Sequence, residues 1–375
     1  MSRVELPEFI RDVFDDVARR NVLIACSLAV FAVGLVPHLL SPGLPSAQEA
    51  IRQRPEIQNL FLLLAFTSTA TILIGGLVSD IYRHRSLMVG GLGVMTVGSA
   101  LSTVVDDGTV FYVANFAAVA AAGVVLAYGI GSVAIAYSGI PRATALGFVY
   151  AAFGVGAAAS PVILTLVPVT IPSTDPAVPP GFTFDTTLAY VLATIASAVA
   201  MWAAYRFVPK IPGNLPASPK LVAGVTTWSL SILAVVSGIL GFIGPGDDRL
   251  PLVLTVGGAL GLLVTTLLLR RAGDALGPLL LDRKAVSAAL AVGIAIGFAQ
   301  AVPLMLLPVV FEFPLHYGMI FAILALIPFG LALVLAGPIS GILLRRFGPR
   351  GIMSSGTLAL GLANIAMALA LLYMT

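Results

Sequence analysis

Side chains able to hold a charge, a proton or a metal are scarce inside the long apolar runs of this 375-residue chain. No carboxylate, Lys or Arg stands at the middle of any of them. The polar groups found there are neutral: Thr67, Ser68, Thr69 and Thr71 in one run, Asn115 and Tyr128 in another, Gln300 in a third. Helical hydroxyls usually satisfy themselves on their own backbone. An amide such as Gln300 has four hydrogen-bonding positions and needs a partner in hydrocarbon, from a neighbouring helix or from a solute. Thr67, Thr71, Asn115 and Gln300 are therefore the candidate solute-facing residues. His38 and the pair Glu312 and His316 fall near run ends, where water solvates them, and two ligands do not make a metal site. Cys26 is the only cysteine and lies within a run, so it has no disulfide partner in this chain and reads as packing. With no phosphate-cradling loop, nucleophile elbow or metal-spaced His/Cys set, the sequence indicates no enzyme, no metal and no cofactor.

The concentrated charge sits between runs instead. Gly76 to Arg85 reads GLVSDIYRHR, and Gly341 to Arg350, 265 residues later, reads GILLRRFGPR. Each opens with glycine at the end of one run and passes quickly into the next. That echo marks two related halves rather than a short-period repeat.

The elements that must carry these motifs follow from composition. Hydrophobic residues make up 59%, charged residues 10%, and the mean hydropathy is +1.04. No soluble core absorbs that much apolar surface, so the expected fold class is an all-α membrane protein, a multi-span helical bundle. A helix needs about 20 apolar residues to cross the hydrocarbon core. Eleven runs qualify: 22–41, 59–80, 87–105, 109–137, 143–168, 187–207, 221–243, 251–269, 285–310, 317–343 and 352–374. Seventeen of the 20 Lys and Arg residues fall on one side of this topology, leaving only Arg52, Arg54 and Arg249 opposite. Positive-inside bias then places the N-terminus in the cytoplasm and Thr375 outside.

Residues 1–21 form a cytoplasmic segment without signal-peptide character, whose Phe9, Val13 and Val17 spacing reads as an amphipathic helix on the membrane surface. Residues 22–207 form a first six-helix bundle, 208–220 a Pro-rich linker, 221–269 two further spans and 270–375 a partial second bundle. The outer connections, such as TIPSTDPAVPPGFTFD, read as turns. A net charge of +3, spread over short loops, gives no support for nucleic-acid binding.

The loop at Gly76 resembles the cytoplasmic signature of the major facilitator superfamily, G-x-L-A-D-R-x-G-R-R. Gly76, Ser79, Asp80 and Arg85 match, while Arg83 stands at the glycine position and His84 at a basic one. In the second copy Gly341, Leu343, Arg346, Gly348 and Arg350 match, and Arg345 replaces the aspartate. The copies are eight spans apart rather than six. That spacing, and GPLLLDRKAVSAAL before span 9, resemble the fourteen-span drug:proton antiporter branch. GVGAAASPVILTL in span 5 is similar to that branch's G-x-x-x-G-P-x-x-G-G, with Gly156 and Pro161 matching and Ser160 and Leu164 in place of glycines.

The resemblance implies a permease that moves a small solute through the bilayer by alternating access, with spans 7 and 8 as an insertion. It also implies three spans beyond span 11, which a partner or a second copy would supply. Its coupling aspartate and arginine positions fall on Leu28 and Val119, both apolar. Facilitated movement of an apolar or amphipathic solute, efflux-like, across the plasma membrane is the reading that fits. The alternative is a non-transporting scaffold or sensor, or a truncated remnant. Asp80 is implied to latch against a helix N-terminus of the second half, whereas Arg345 has the wrong charge for the mirror contact.

Overall fold

The computed structural model describes residues 13–38, 84–105, 108–165, 168–171, 181–184, 187–210, 249–271 and 327–374. It also describes parts of 67–76 and 223–238, together with residues 324 and 326. Apart from one small ribbon, the regular structure among the described residues is helical. The helices are α1 (Val17–His38), α2 (His84–Val104), α3 (Gly108–Ala136), α4 (Gly139–Thr165), α5 (Thr187–Phe207), α6 (Arg249–Arg271) and α7 (Ile327–Met374). Seven described stretches are long and apolar enough to cross a membrane, two of them within α7. They coincide with spans 1, 3, 4, 5, 6, 10 and 11 of the sequence reading. A shorter apolar stretch, 252–267, lies in span 8, and the described residues of spans 2 and 7 are helical. Span 9, with Gln300, lies outside the described residues.

Three local departures from the sequence reading have simple causes. The connection after α4 is not all turn: Pro168–Ile171 (β1) pairs antiparallel with Gly181–Phe184 (β2), in register Pro168 to Phe184. Val169, Ile171, Phe182 and Phe184 are β-branched or aromatic, which favours extended backbone. The motif at Gly341 is not a loop either. Helix α7 runs through it, broken at Gly348, whose φ of 69° and ψ of 171° are left to glycine because a Cβ crowds the backbone there. The start of the chain also differs from a free surface helix. Val13 is buried, Phe14 meets Phe148 edge-on at 5.7 Å, and Tyr137 donates its hydroxyl to the Val13 carbonyl at 3.1 Å. Asp16 caps α1 by accepting the Ala18 amide at 2.8 Å.

The core is built on α1, α2, α3 and α5, with α4 packed along α1. Small residues set the spacing. Along α2, positions 84, 91 and 98 recur every seven residues and face α3: Gly98 lies against Ala114 and Ala118, Gly91 against Val125, and His84 against Tyr128 and Gly131. On its other side α2 meets α5, where Thr96 donates to the Ser197 hydroxyl at 3.0 Å and Gly93 faces Met201. Without water, close van der Waals contact and interhelical hydrogen bonds hold such helices together. Helix α6 packs on the described part of span 7, with Gly258 and Gly261 lying over Ser231 and Val235.

Candidate functional site

Among the described residues, helix α4 packs between α1 on one face and α7 on the other. Its face toward α1 carries Gly156, whose missing side chain lets the Phe31 carbonyl and the Leu35 amide approach. The contact is reciprocal, since Gly34 lies against the Phe153 carbonyl. Its opposite face meets α7. A methyl group on Gly147 would strike the Gly337 carbonyl, and one on Gly337 would strike the Gly147 carbonyl. A methyl on Gly154 would lie 2.7 Å from the Gly330 carbonyl oxygen, and one on Gly330 would lie 2.5 Å from the Ala158 amide nitrogen. The rungs rise along α4 as they fall along α7, so the helices run antiparallel. Both helices repeat at seven residues, 147 to 154 and 330 to 337, the period of a left-handed antiparallel crossing.

One end of this crossing is the second charged motif. Gly341 lies over Thr144, with 3.0 Å from its would-be Cβ to the Thr144 Cα and 3.1 Å to the Ala143 carbonyl. The Thr144 hydroxyl is buried there and has no hydrogen-bond partner among the described residues. Further along the motif, the Arg346 guanidinium lies 5.5 Å from the Phe347 ring centroid, Gly348 breaks the helix, and Arg350 is exposed at the start of the next span. The side chain of Arg345 lies outside the description. At the far end of α4, Ser160 and Pro161 are buried, and the helix continues through the proline.

The first motif is described at its two ends. Gly76 is helical, and its neighbour Gly75 packs against Val124 and Ala127 of α3. Asp80 and Arg83 fall outside the described residues. Arg85 lies in the first turn of α2 with its guanidinium 4.3 Å above the Tyr205 ring, an attraction of about 0.5–2 kcal/mol. His84, read from sequence as a loop base, is buried in α2 and meets Tyr128 edge-on at 5.4 Å. Its seven-residue spacing from Gly91 and Gly98 is the signal that places it in the packed face.

Of the candidate solute-facing residues, Thr71 and Asn115 donate to acceptors within the protein. Thr71 donates to the Thr67 carbonyl at 3.0 Å, and Thr67 is buried. Asn115 is 1% exposed and lies one to two turns inside α3, nearer the helix end than the middle of the bilayer. Its amide nitrogen donates to the Ser102 hydroxyl at 3.0 Å and the Phe111 carbonyl at 2.8 Å. Tyr190, buried and edge-on to Phe111 at 5.7 Å, completes that cluster. The structure thus gathers Gly147, Gly154, Gly330, Gly337 and Gly341 in one crossing, while Asn115 packs elsewhere, on Ser102 and Phe111.

Span-length apolar helices that cross on glycine define a multi-pass membrane protein. The Major Facilitator Superfamily family model matches residues 22–375, and the chain belongs to that superfamily of membrane transporters. Among solved structures, one similar chain is the human organic anion transporter MFSD10 (TETRAN), at 15% identity and a TM-score of 0.41. That match covers 95% of this chain and 99% of the other. Another is a mutant of the peptide transporter POT in complex with alafosfalin, at 13% identity and a TM-score of 0.43, covering 97% and 96%. No curated protein matches.

Proposed function

We propose that the chain moves a small apolar or amphipathic solute by alternating access, with α4 and α7 as the crossing over which its two parts rock. The observation that carries this reading is the reciprocal approach of Gly147 and Gly337. Backbones in contact without side-chain interlock can tilt with little repacking, whereas interdigitated cores resist displacement. On this reading Gly76, Asp80, Arg83 and Arg85 gate one cytoplasmic approach, and Gly341, Arg345, Arg346, Gly348 and Arg350 the other. Gly156, Ser160 and Pro161 keep α4 close to α1 and able to bend. The N-terminus is cytoplasmic and the membrane is the plasma membrane. Leu28 and Val119, where the antiporter branch carries charge, favour movement down a gradient over proton exchange.

Thr67, Thr71 and Gln300 remain candidates for solute contact, and Asn115 becomes one only if its bond to Ser102 opens. A partner or second copy that supplies further helices would appear as a mass above one chain in detergent, and a strict monomer would remove that part of the proposal. The transport reading is tested in proteoliposomes loaded with a hydrophobic dye. Wild-type protein should dissipate an imposed dye gradient, and Gly337→Leu should not. A wild-type protein that moves neither dye nor any other solute under any imposed gradient would falsify the proposal.

A further inference from the structure

The second half of α7 leaves the bundle. None of the 350–369 span is buried, against 44% of the span in α4, although both are strongly apolar. One face of this span lines an open groove of about 700 Å3. Its polarity is graded along the helix. Arg350 stands at the end next to the Gly348 break, Met353, Ser354 and Thr357 follow, and Leu358, Gly361, Leu362 and Ile365 form the remainder of the described lining. The two hydroxyls are already used, Ser354 on the Gly351 carbonyl at 3.0 Å and Thr357 on the Met353 carbonyl at 2.7 Å. Among the described lining residues Arg350, exposed at the mouth, is the one that carries a charge.

We propose that this groove binds an anionic glycerophospholipid from the leaflet at the Arg350 end, with its phosphate on Arg350 and an acyl chain along Leu358, Leu362 and Ile365. Charge complementarity selects the head group. A guanidinium matches phosphate bidentately, and a basic residue at the membrane surface favours an anionic lipid by about fivefold. Length selects the tail. At 1.5 Å per residue, Ser354 to Ile365 spans about 16 Å, and one leaflet of a hydrocarbon core about 30 Å thick spans about 15 Å. Gly361 leaves the space for the chain, since a methyl group built on it meets nothing described within 4 Å.

Native mass spectrometry of the full chain, equilibrated with equimolar phosphatidylglycerol and phosphatidylcholine, tests the assignment without requiring transport. Wild-type protein should carry about fivefold more phosphatidylglycerol adduct. Arg350→Gln should bring the two lipids to parity. Gly361→Leu should lower phosphatidylglycerol occupancy severalfold. Gly356→Leu should leave it unchanged, because Gly356 also faces open space but does not line the groove. Equal adducts on the wild type, or a preference that survives Arg350→Gln, would overturn the proposal. So would displacement of the phosphatidylglycerol by an equal concentration of oleate, which would make the ligand a free amphiphile rather than a bilayer lipid. If Gly361→Leu does not fold, Arg350→Gln decides alone. A chain that binds phosphatidylglycerol in this way but moves no dye would refute the transport reading and leave this one standing.

Discussion

Helix α4 and the second half of α7 are alike in composition and opposite in surroundings. Their hydropathies are 1.7 and 1.6, and both are dotted with glycine and hydroxyl residues. In α4, Gly147, Gly154 and Gly156 each meet a backbone atom of another helix. In the second half of α7, Gly356 and Gly361 meet nothing described within 4 Å. Small residues permit helix contact but do not produce it; a partner with small residues at the same period is also needed. Gly330 and Gly337 supply that for α4.

The largest effect should come from breaking this asymmetry at its strong side. Gly337→Leu forces a side chain into the Gly147 carbonyl and should cost at least about 2 kcal/mol, read as a lowered unfolding temperature in detergent. Gly356→Leu, the same change on the unburied span, should stay within about 0.5 kcal/mol of wild type. Equal losses at the two positions would sink the comparison.

Next in size, Asn115→Leu removes two donated hydrogen bonds and leaves the Ser102 hydroxyl without its donor. A loss of about 1–2 kcal/mol is expected in the same assay. Thr96→Val, which breaks one interhelical bond to Ser197, should cost about 0.6 kcal/mol, the usual size for such bonds in membranes.

The smallest effect concerns Tyr137, just beyond the end of α3. Burial, above all, pushes its hydroxyl up to about 12, with Arg19 pulling it down and Asp16 and Cys26 adding to the rise. A phenol raised on folding contributes stability that is complete below its ordinary value near 10 and is lost as pH climbs through 12. Anchoring of Val13 should therefore hold up to about pH 10 and weaken above it, visible as hydrogen exchange at the start of α1. Tyr137→Phe should abolish that pH dependence.

The spans were legible because an apolar run of about 20 residues has few other places to go. The packing role of Gly156 and its neighbours was legible too, since crowded small residues beside a proline have few other uses in a membrane helix. The direction each glycine faces was not. Gly154 and Gly156 are two residues apart, about 200° around a helix, and only the placement of α1 and α7 shows that they serve different neighbours. His84 was misplaced because its charge-bearing context suggested a loop, while its spacing from Gly91 and Gly98 carried the opposite information. The ribbon at Pro168 escaped because Pro, Asp and Gly dominate the connection and mask two short extended segments.

The joint at Gly348 has a mechanical consequence. Residues 345–349 separate the two membrane stretches of α7, and even fully extended they reach only about 18 Å. On the proposed rocking, movement of the first stretch beyond that reach would drag the second with it. With none of that second span buried, its travel is opposed by the viscosity and thickness of the bilayer rather than by contacts that must break. The outer helix would then act as an oar in lipid, so membrane fluidity should govern the rate of the rocking motion more than its equilibrium.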